Sequence, residues 1–156
     1  MKKILILILF LVFISSCTTG NIIKEHPLEG PYLVTYVVDG DTLDININGK
    51  TERIRFSGIN TPEKGECYYS GAKEKLKELT LDKEIYIQQD ITNRGNYGRL
   101  LRYVYLDNIL INEYLVENGY AKVYDKYKED TSKYYQLKAA EAEAIRLNKG
   151  VWNCSL

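Results

Sequence analysis

Alternating apolar and polar residues predict a series of β-strands in the first half of the chain. Residues 32–38 are mostly β-branched or aromatic, and residues 42–47 alternate between the two classes. Asn48-Gly49 is a strong hairpin signal, and it leads into a third such segment at 52–56. The pattern therefore predicts three consecutive antiparallel strands joined by tight turns.

Apolar residues at helical spacing predict helices at 70–80, 112–118 and 133–148, with further strands at 84–89 and 100–105. Ser70 and Asn112 are residue types that cap helices, and Gly119 is the predicted stop of the second helix. The buried face of the last helix is expected to consist of Leu137, Ala140, Ala144 and Leu147. Five short strands, with helices after the third strand and at the end, predict an α+β, mainly β, five-stranded OB-fold barrel.

The amino terminus has the pattern of a secretory signal peptide. Met1-Lys2-Lys3 is a charged start, and the apolar run from Ile4 to Ile14 follows it. An uncleaved membrane anchor is the alternative, but the run is shorter than the roughly 20 residues that a spanning helix needs. The protein is therefore expected to be exported.

A lipid attachment site is predicted at the end of this leader, residues 1–17. Ile14-Ser15-Ser16-Cys17 resembles the lipobox of bacterial lipoproteins, so Cys17 would become the lipidated first residue. Ordinary cleavage near Ser16 is the alternative, and it would leave an unmodified cysteine on a secreted protein. Lipid would hold the protein on an outward-facing membrane surface of the cell envelope, with residues 18–31 as a flexible tether and residues 32–156 as the folded domain.

The charge balance argues against a strong whole-molecule attraction for nucleic acid. The chain has 21 basic and 21 acidic residues, and removal of residues 1–17 takes away two lysines and no acid, which leaves a net charge of about −2. Binding of a polyanion would then depend on locally placed arginine and lysine side chains and on a metal ion. The remaining length suits one compact domain, expected to be a monomer.

Two cysteines remain after the leader, Cys67 and Cys154. An exported protein occupies a compartment where disulfides persist, so the two are expected to pair. Two free thiols are the alternative. The bond would tie the carboxyl terminus to the segment after Pro62-Glu63, and because it closes a long loop it would stabilise the fold by about 3 to 4 kcal/mol.

Three short runs concentrate acidic residues and arginine. They are Asp39-Gly40-Asp41-Thr42, Asn60-Thr61-Pro62-Glu63 and Tyr97-Gly98-Arg99, with Arg55 between the first two. Either acidic run alone is weak support, because Asp-Gly is a common turn and Thr-Pro-Glu often opens a helix. Together the runs supply what phosphodiester hydrolysis needs: oxygen ligands for a metal ion, a carboxylate that activates water, and two guanidinium groups for a phosphate.

The order and spacing of these runs resemble the staphylococcal nuclease (thermonuclease) family. The resemblance extends from about Val34 to Trp152 and includes Ala121-Lys122-Val123 and the alanine-rich last helix. It implies a calcium-dependent enzyme that hydrolyses DNA and RNA and leaves products with 3′-phosphate ends. A non-catalytic nucleic-acid-binding OB-fold module at the cell surface is the alternative function.

The resemblance also implies a calcium site. Asp41 and Asn60 match the two calcium-ligating side chains of the family, and the carbonyl oxygen of Thr61 matches a further ligand. The family more often has aspartate where this chain has Asn60, so the site loses one negative charge and weaker calcium binding is expected. Asp39 would offset part of that loss if it lies close by.

The remaining roles are implied by position in the same way. Glu63 matches the proposed general base, and Arg55 and Arg99 match the phosphate-binding pair. Tyr97 and Tyr127 match two tyrosines beside the substrate, although most of the chain's tyrosines must serve packing.

At two positions the chain departs from the family pattern in a way that is expected to weaken substrate binding. Asn96 and Asp125 stand where the family has a lysine and a further tyrosine, and both changes remove favourable contacts for a polyanion. The binding-module alternative leaves Glu63 unexplained, because a pure binder could dispense with a base, whereas a hydrolase could not easily do so.

Overall fold

The computed structural model describes residues 26–154. The predicted leader, the lipidation site at Cys17 and residues 18–25 of the predicted tether lie outside the described residues. Among residues 26–154, no helix combines the length and the apolar character needed to cross a membrane.

The described chain begins with four consecutive strands, and the helices come after these. The strands are β1 (Leu28–Val37), β2 (Thr42–Ile47), β3 (Lys50–Phe56), β4 (Ile59–Asn60), β5 (Glu84–Arg94), β6 (Leu100–Leu106), β7 (Ile109–Leu110) and β8 (Lys122–Val123). The helices are α1 (Tyr69–Thr80), α2 (Ile111–Glu117) and α3 (Tyr134–Arg146), with 3₁₀ segments at Asp125–Asp130 and Gly150–Asn153.

Five of the strands form a closed barrel. They pair in the order β3-β2-β1-β5-β6, and the parallel pairing of β3 with β6 closes the ring. The interior is filled by alternate side chains of these strands, including Val34, Leu43, Ile45, Ile54, Ile85, Ile87 and Val104, all fully buried. The predicted α+β, mainly β, five-stranded OB-fold barrel with three helices is confirmed.

The first strand begins earlier than the sequence suggests. The sequence predicts that the domain starts at Tyr32, but β1 starts at Leu28, which pairs with Gln88 of β5. The register shifts between Glu29 and Tyr32, where the chain contains Gly30-Pro31. A bulge accommodates a glycine and a proline that would weaken a regular strand, and this is why the segment resembles a tether in the sequence.

Neither predicted helix cap is formed by the expected side chain. Ser70 lies inside α1, which follows Tyr68 in the left-handed conformation and has no side-chain cap. Asn112 lies inside α2 and is fully buried. Its Oδ1 accepts a hydrogen bond from the Val104 N–H (2.9 Å), and its Nδ2 donates to the Ser57 carbonyl (2.9 Å). Asn112 therefore ties α2 to the barrel.

The carboxyl-terminal segment is attached to Gly119 after α2 and to the segment before α1. Because α3 ends at Arg146, Leu147 is 45% exposed and does not belong to the buried face predicted for it. The Val151 N–H donates to the Gly119 carbonyl (2.8 Å). A disulfide joins Cys154 to Cys67, with their Cα atoms 6.1 Å apart.

Candidate active site

A cleft of about 660 Å³ opens on one side of the barrel. Four parts of the chain line it: the turn after β1, the β3–β4 connection with the turn that follows, the β5–β6 loop, and the 3₁₀ segment after β8. The residues predicted to carry chemistry all line this one cleft: Asp41, Arg55, Asn60, Thr61, Glu63, Tyr97, Arg99 and Tyr127. Residues far apart in sequence are thus brought together, although their individual roles remain predictions.

Asp41 is a buried carboxylate at the base of the cleft. Its Oδ2 accepts hydrogen bonds from the Thr61 N–H (2.8 Å) and the Thr61 hydroxyl (3.1 Å), and its Oδ1 accepts one from the Thr42 hydroxyl (3.1 Å). Burial raises the pKa of Asp41 above its ordinary value, and the charge of Asp39 acts in the same direction. Arg55 and the hydrogen bonds from Thr61 oppose that rise in pKa.

Arg55 is held rigidly beside Asp41. Its Nη1 donates to the carbonyls of Phe56 (2.7 Å) and Ile59 (2.8 Å), and its Nη2 lies 2.9 Å from Asn60 Oδ1 and 3.1 Å from Asp41 Oδ2. The side chain is only 11% exposed. The Phe56 side chain belongs to the hydrophobic core, whereas the Arg55 side chain bonds to Asn60 and Asp41 in the cleft, as alternation along β3 predicts. A guanidinium held by four acceptors needs little reorganisation when charge develops beside it.

Asp41, Asn60 and Thr61 provide oxygen atoms suited to a hard cation. The Asn60 Nδ2 lies 3.4 Å from the Thr61 carbonyl oxygen, so the amide and this carbonyl are neighbours. Within residues 26–154 no three acidic, histidine or cysteine side chains converge. A cation here would therefore need amide and carbonyl oxygens beside the Asp41 carboxylate, and this mixed oxygen set on two irregular turns fits Ca²⁺. Asp39 also lines the cleft, and its Oδ1 accepts the Asp41 N–H (3.1 Å).

Glu63 lies at the exposed edge of the cleft, in the turn before α1. Its N–H donates to Glu66 Oε2 (2.7 Å), and the Glu66 N–H donates to the Glu63 carbonyl (2.9 Å). A solvent-accessible carboxylate at this edge can accept a proton from water. Sequence reasoning missed the supporting role of Glu66, and its position three residues after Glu63 was the available signal.

The β5–β6 loop presents Arg99 and Tyr97. The guanidinium of Arg99 stacks over the Tyr97 ring, with Cζ 5.5 Å from the ring centroid. The Arg99 Nε is buried and has no hydrogen-bond partner in the described part of the chain. Tyr97 itself is 86% exposed. A guanidinium beside an exposed ring is suited to a phosphate and its attached nucleoside.

Arg94 braces this loop, a role that the sequence did not reveal. Its Nη1 donates to the Gly98 carbonyl (2.6 Å), and its Nη2 pairs with Glu52 Oε2 (3.1 Å). Glu52 lies on β3, far away in sequence, so only the barrel topology brings the pair together. The brace holds the backbone directly before Arg99.

Tyr127 also lines the cleft, in the 3₁₀ segment Asp125–Asp130. It is 45% exposed and packs edge-on against Tyr124, with ring centroids 5.2 Å apart. Lys126, also missed by sequence reasoning, lines the cleft with its Nζ 5.5 Å from the Tyr127 ring centroid. This 3₁₀ segment therefore offers a cation and an aromatic surface to a polyanion.

The two departures from the family pattern have different positions. Asn96 lines the cleft, but Asp125 is not part of the lining. The Tyr134 hydroxyl donates to Asp125 Oδ1 (2.6 Å), and Lys138 Nζ lies 3.6 Å away. The Tyr134 hydrogen bond holds the pKa of Asp125 below its ordinary value. The Asp125 carboxylate is thus paired with two residues of α3.

Comparison with known proteins identifies the family of the chain. Residues 53–154 match the family described as staphylococcal nuclease homologue. A micrococcal nuclease of Shigella flexneri is 34% identical to this chain, and the match covers 77% of this chain and 72% of that protein. A thermonuclease of Staphylococcus hyicus is 30% identical over 80% of this chain and 77% of its own length. The endonuclease YncB of Bacillus subtilis is 33% identical over 76% of this chain and 59% of its own length. The chain belongs to the staphylococcal nuclease homologue family.

Proposed function

We propose that the protein is a calcium-dependent nuclease that hydrolyses DNA and RNA and leaves 3′-phosphate ends. One observation carries the proposal: a buried carboxylate, two further oxygen donors, an exposed glutamate and two arginines line a single cleft. Relatives that are named nucleases and endonucleases support the reaction class.

Each residue has a defined part in this reaction. Glu63 takes a proton from a water molecule whose oxygen attacks the phosphorus. The bond between phosphorus and the 5′ oxygen breaks, and that oxygen leaves as a hydroxyl after it takes a proton from solvent. Arg99 donates hydrogen bonds to the phosphoryl oxygens, where negative charge accumulates in the transition state. Arg55 binds the phosphate through its fixed positive charge, because its Nη groups are already bonded to four protein acceptors.

Asp41, Asn60 and the Thr61 carbonyl would hold the calcium ion. When bound, the ion supplies positive charge that stabilises the phosphoryl group during attack. Tyr97 and Tyr127 would contact nucleosides on either side of the reacting phosphate, and Lys126 would add a local positive charge.

Digestion of single-stranded DNA and RNA by the full chain, with calcium or with a calcium chelator, tests the proposal. Cleavage is expected only with calcium. A polymerase should extend the DNA products only after phosphatase treatment, because a 3′-phosphate blocks extension. Binding without cleavage at high calcium would instead support the nucleic-acid-binding module, and extension without phosphatase would contradict the proposed product ends.

Replacement of Asn60 by aspartate is expected to strengthen calcium binding about tenfold. The change restores a carboxylate to the donor set, while pairing of that carboxylate with Arg55 Nη2 limits the gain. Calorimetric titration of the full chain with calcium measures the effect. Asn96→Asp is the matched control, since it adds the same charge in the β5–β6 loop and is expected to change the dissociation constant less than twofold. Equal effects of the two variants would show that only total charge matters.

We also propose that the protein is exported and anchored to a membrane by lipid on Cys17. The charged start, the short apolar run and the lipobox-like Ile14-Ser15-Ser16-Cys17 support this location.

A further inference from the structure

The turn that carries Glu63 is shaped by local contacts. Residues 63–68 are all exposed and lie between β4 and α1. The hydrogen bonds between Glu63 and Glu66 run within the turn, and the Tyr69 N–H donates to the Glu66 carbonyl (3.3 Å). These bonds set the shape of the turn but attach it only to the start of α1.

The start of α1 is itself a weak attachment. It has no side-chain cap, and Gly71 lies in its first turn. Its first buried side chain is Ala72, nine residues after Glu63. A helix end with an internal glycine and no cap has little intrinsic stability, so α1 alone would leave the turn poorly fixed.

The carboxyl-terminal segment provides the stronger attachment. The disulfide joins Cys67, four residues after Glu63, to Cys154. The ring centroids of Tyr68 and Tyr120 lie 5.9 Å apart. Gly150 lies so close to the Tyr68 ring that the Cβ of a larger residue there would be 3.0 Å from Tyr68 Cε1. That segment is rigidly seated, because the Val151 N–H bonds to the Gly119 carbonyl and the Gly119 and Gly150 backbones touch too closely to admit a side chain.

On the other side, the Glu63 turn starts from a fixed point. Thr61 is buried, and both its N–H and its hydroxyl donate to Asp41 Oδ2. The segment from Thr61 to Cys67 is thus held at both ends. Hydrogen bonds to Asp41 hold Thr61, and the disulfide to Cys154 holds Cys67. Between these two points Glu66 fixes the Glu63 backbone.

We propose that the Cys67–Cys154 disulfide, together with Glu66, positions Glu63 for proton transfer. The proposal rests on the proposed nuclease function, in which Glu63 is the base. Cys67, Cys154 and Glu66 are positioning residues that act through Glu63. Because a displacement of about 1 Å at a reacting group can reduce the rate about 100-fold, loss of one of these attachments should slow the reaction without preventing folding or substrate binding.

The test is a double-mutant cycle with the full chain, in which Cys17 is unchanged in every variant. Cys67→Ser/Cys154→Ser is expected to lower kcat at saturating calcium at least about tenfold, with KM changed less than twofold. In a Glu63→Gln background the same replacement should change kcat less than twofold, because the base is already gone. A thiol reductant should slow the wild-type chain and leave the serine variant unaffected.

Glu66→Ala is the second variant, and it keeps the disulfide. It is expected to lower kcat severalfold, and only when Glu63 is present. If circular dichroism shows that the serine variant does not fold, the Glu66→Ala result alone tests the positioning role. An unchanged kcat, or an equal loss with and without Glu63, would overturn the positioning role while the nuclease assignment stands. A wild-type chain that never cleaves would refute the nuclease function itself, and the positioning role would fall with it.

Discussion

Glu63→Gln is expected to reduce kcat about 10³- to 10⁴-fold on single-stranded DNA, the largest effect of any single replacement in the cleft. Glutamine preserves the size of the side chain but cannot accept a proton from the attacking water, and positioned general bases contribute on the order of 10²- to 10⁴-fold. KM should change little, because Glu63 lies at the exposed edge of the cleft rather than among the groups at its base. Single-turnover cleavage at saturating calcium measures the loss.

Two comparisons separate this effect from a general loss of charge. Glu74→Gln removes a carboxylate from an exposed position of α1 and is expected to leave kcat within twofold of the wild type. Calcium titration of Glu63→Gln shows whether the ion still binds. A variant that binds calcium and substrate normally and still cleaves at the wild-type rate would remove Glu63 from the mechanism.

Local sequence patterns were sufficient to predict the parts of the cleft that depend on neighbouring residues. Alternation along β3 places Arg55 on the opposite side of the strand from Phe56, and in the structure Phe56 packs in the core while Arg55 bonds to Asn60 and Asp41. The Asn48-Gly49 hairpin was predicted from its turn chemistry, and β2 pairs with β3 around it. Such features depend on one strand or one turn, so one segment of sequence contains the information.

Features that depend on distant partners were not predictable in this way. Asn112 has the chemistry of a helix cap, but the carbonyl of Ser57 and the N–H of Val104 make it a buried connection instead. Arg94 braces the β5–β6 loop only because the barrel brings Glu52 beside it. An asparagine side chain can cap a helix or connect two buried elements, and its role depends on the groups that the tertiary fold places beside it.

Arg99→Lys is expected to lower kcat about 100-fold while the stability of the fold stays the same. Lysine keeps the positive charge but lacks the planar, forked donors with which a guanidinium binds two phosphate oxygens at once. The loop itself should persist, because Arg94 and the hydrogen bond from the Gly95 N–H to the Arg99 carbonyl (3.0 Å) hold the backbone. Cleavage kinetics and urea unfolding of the same preparation measure both quantities.

Arg55→Lys is the comparison that separates loss of phosphate binding from loss of stability. Arg55 bonds to two carbonyls, Asn60 and Asp41 from a position that is 11% exposed, so a lysine there leaves buried acceptors without donors. This variant should lose both kcat and about 1 to 3 kcal/mol of unfolding free energy, whereas Arg99→Lys should lose only kcat. Arg146→Lys, on the exposed side of α3, should change neither. If Arg99→Lys proved as unstable as Arg55→Lys, its loss of activity would reflect damage to the loop, and the phosphate-binding role of Arg99 would lose its support.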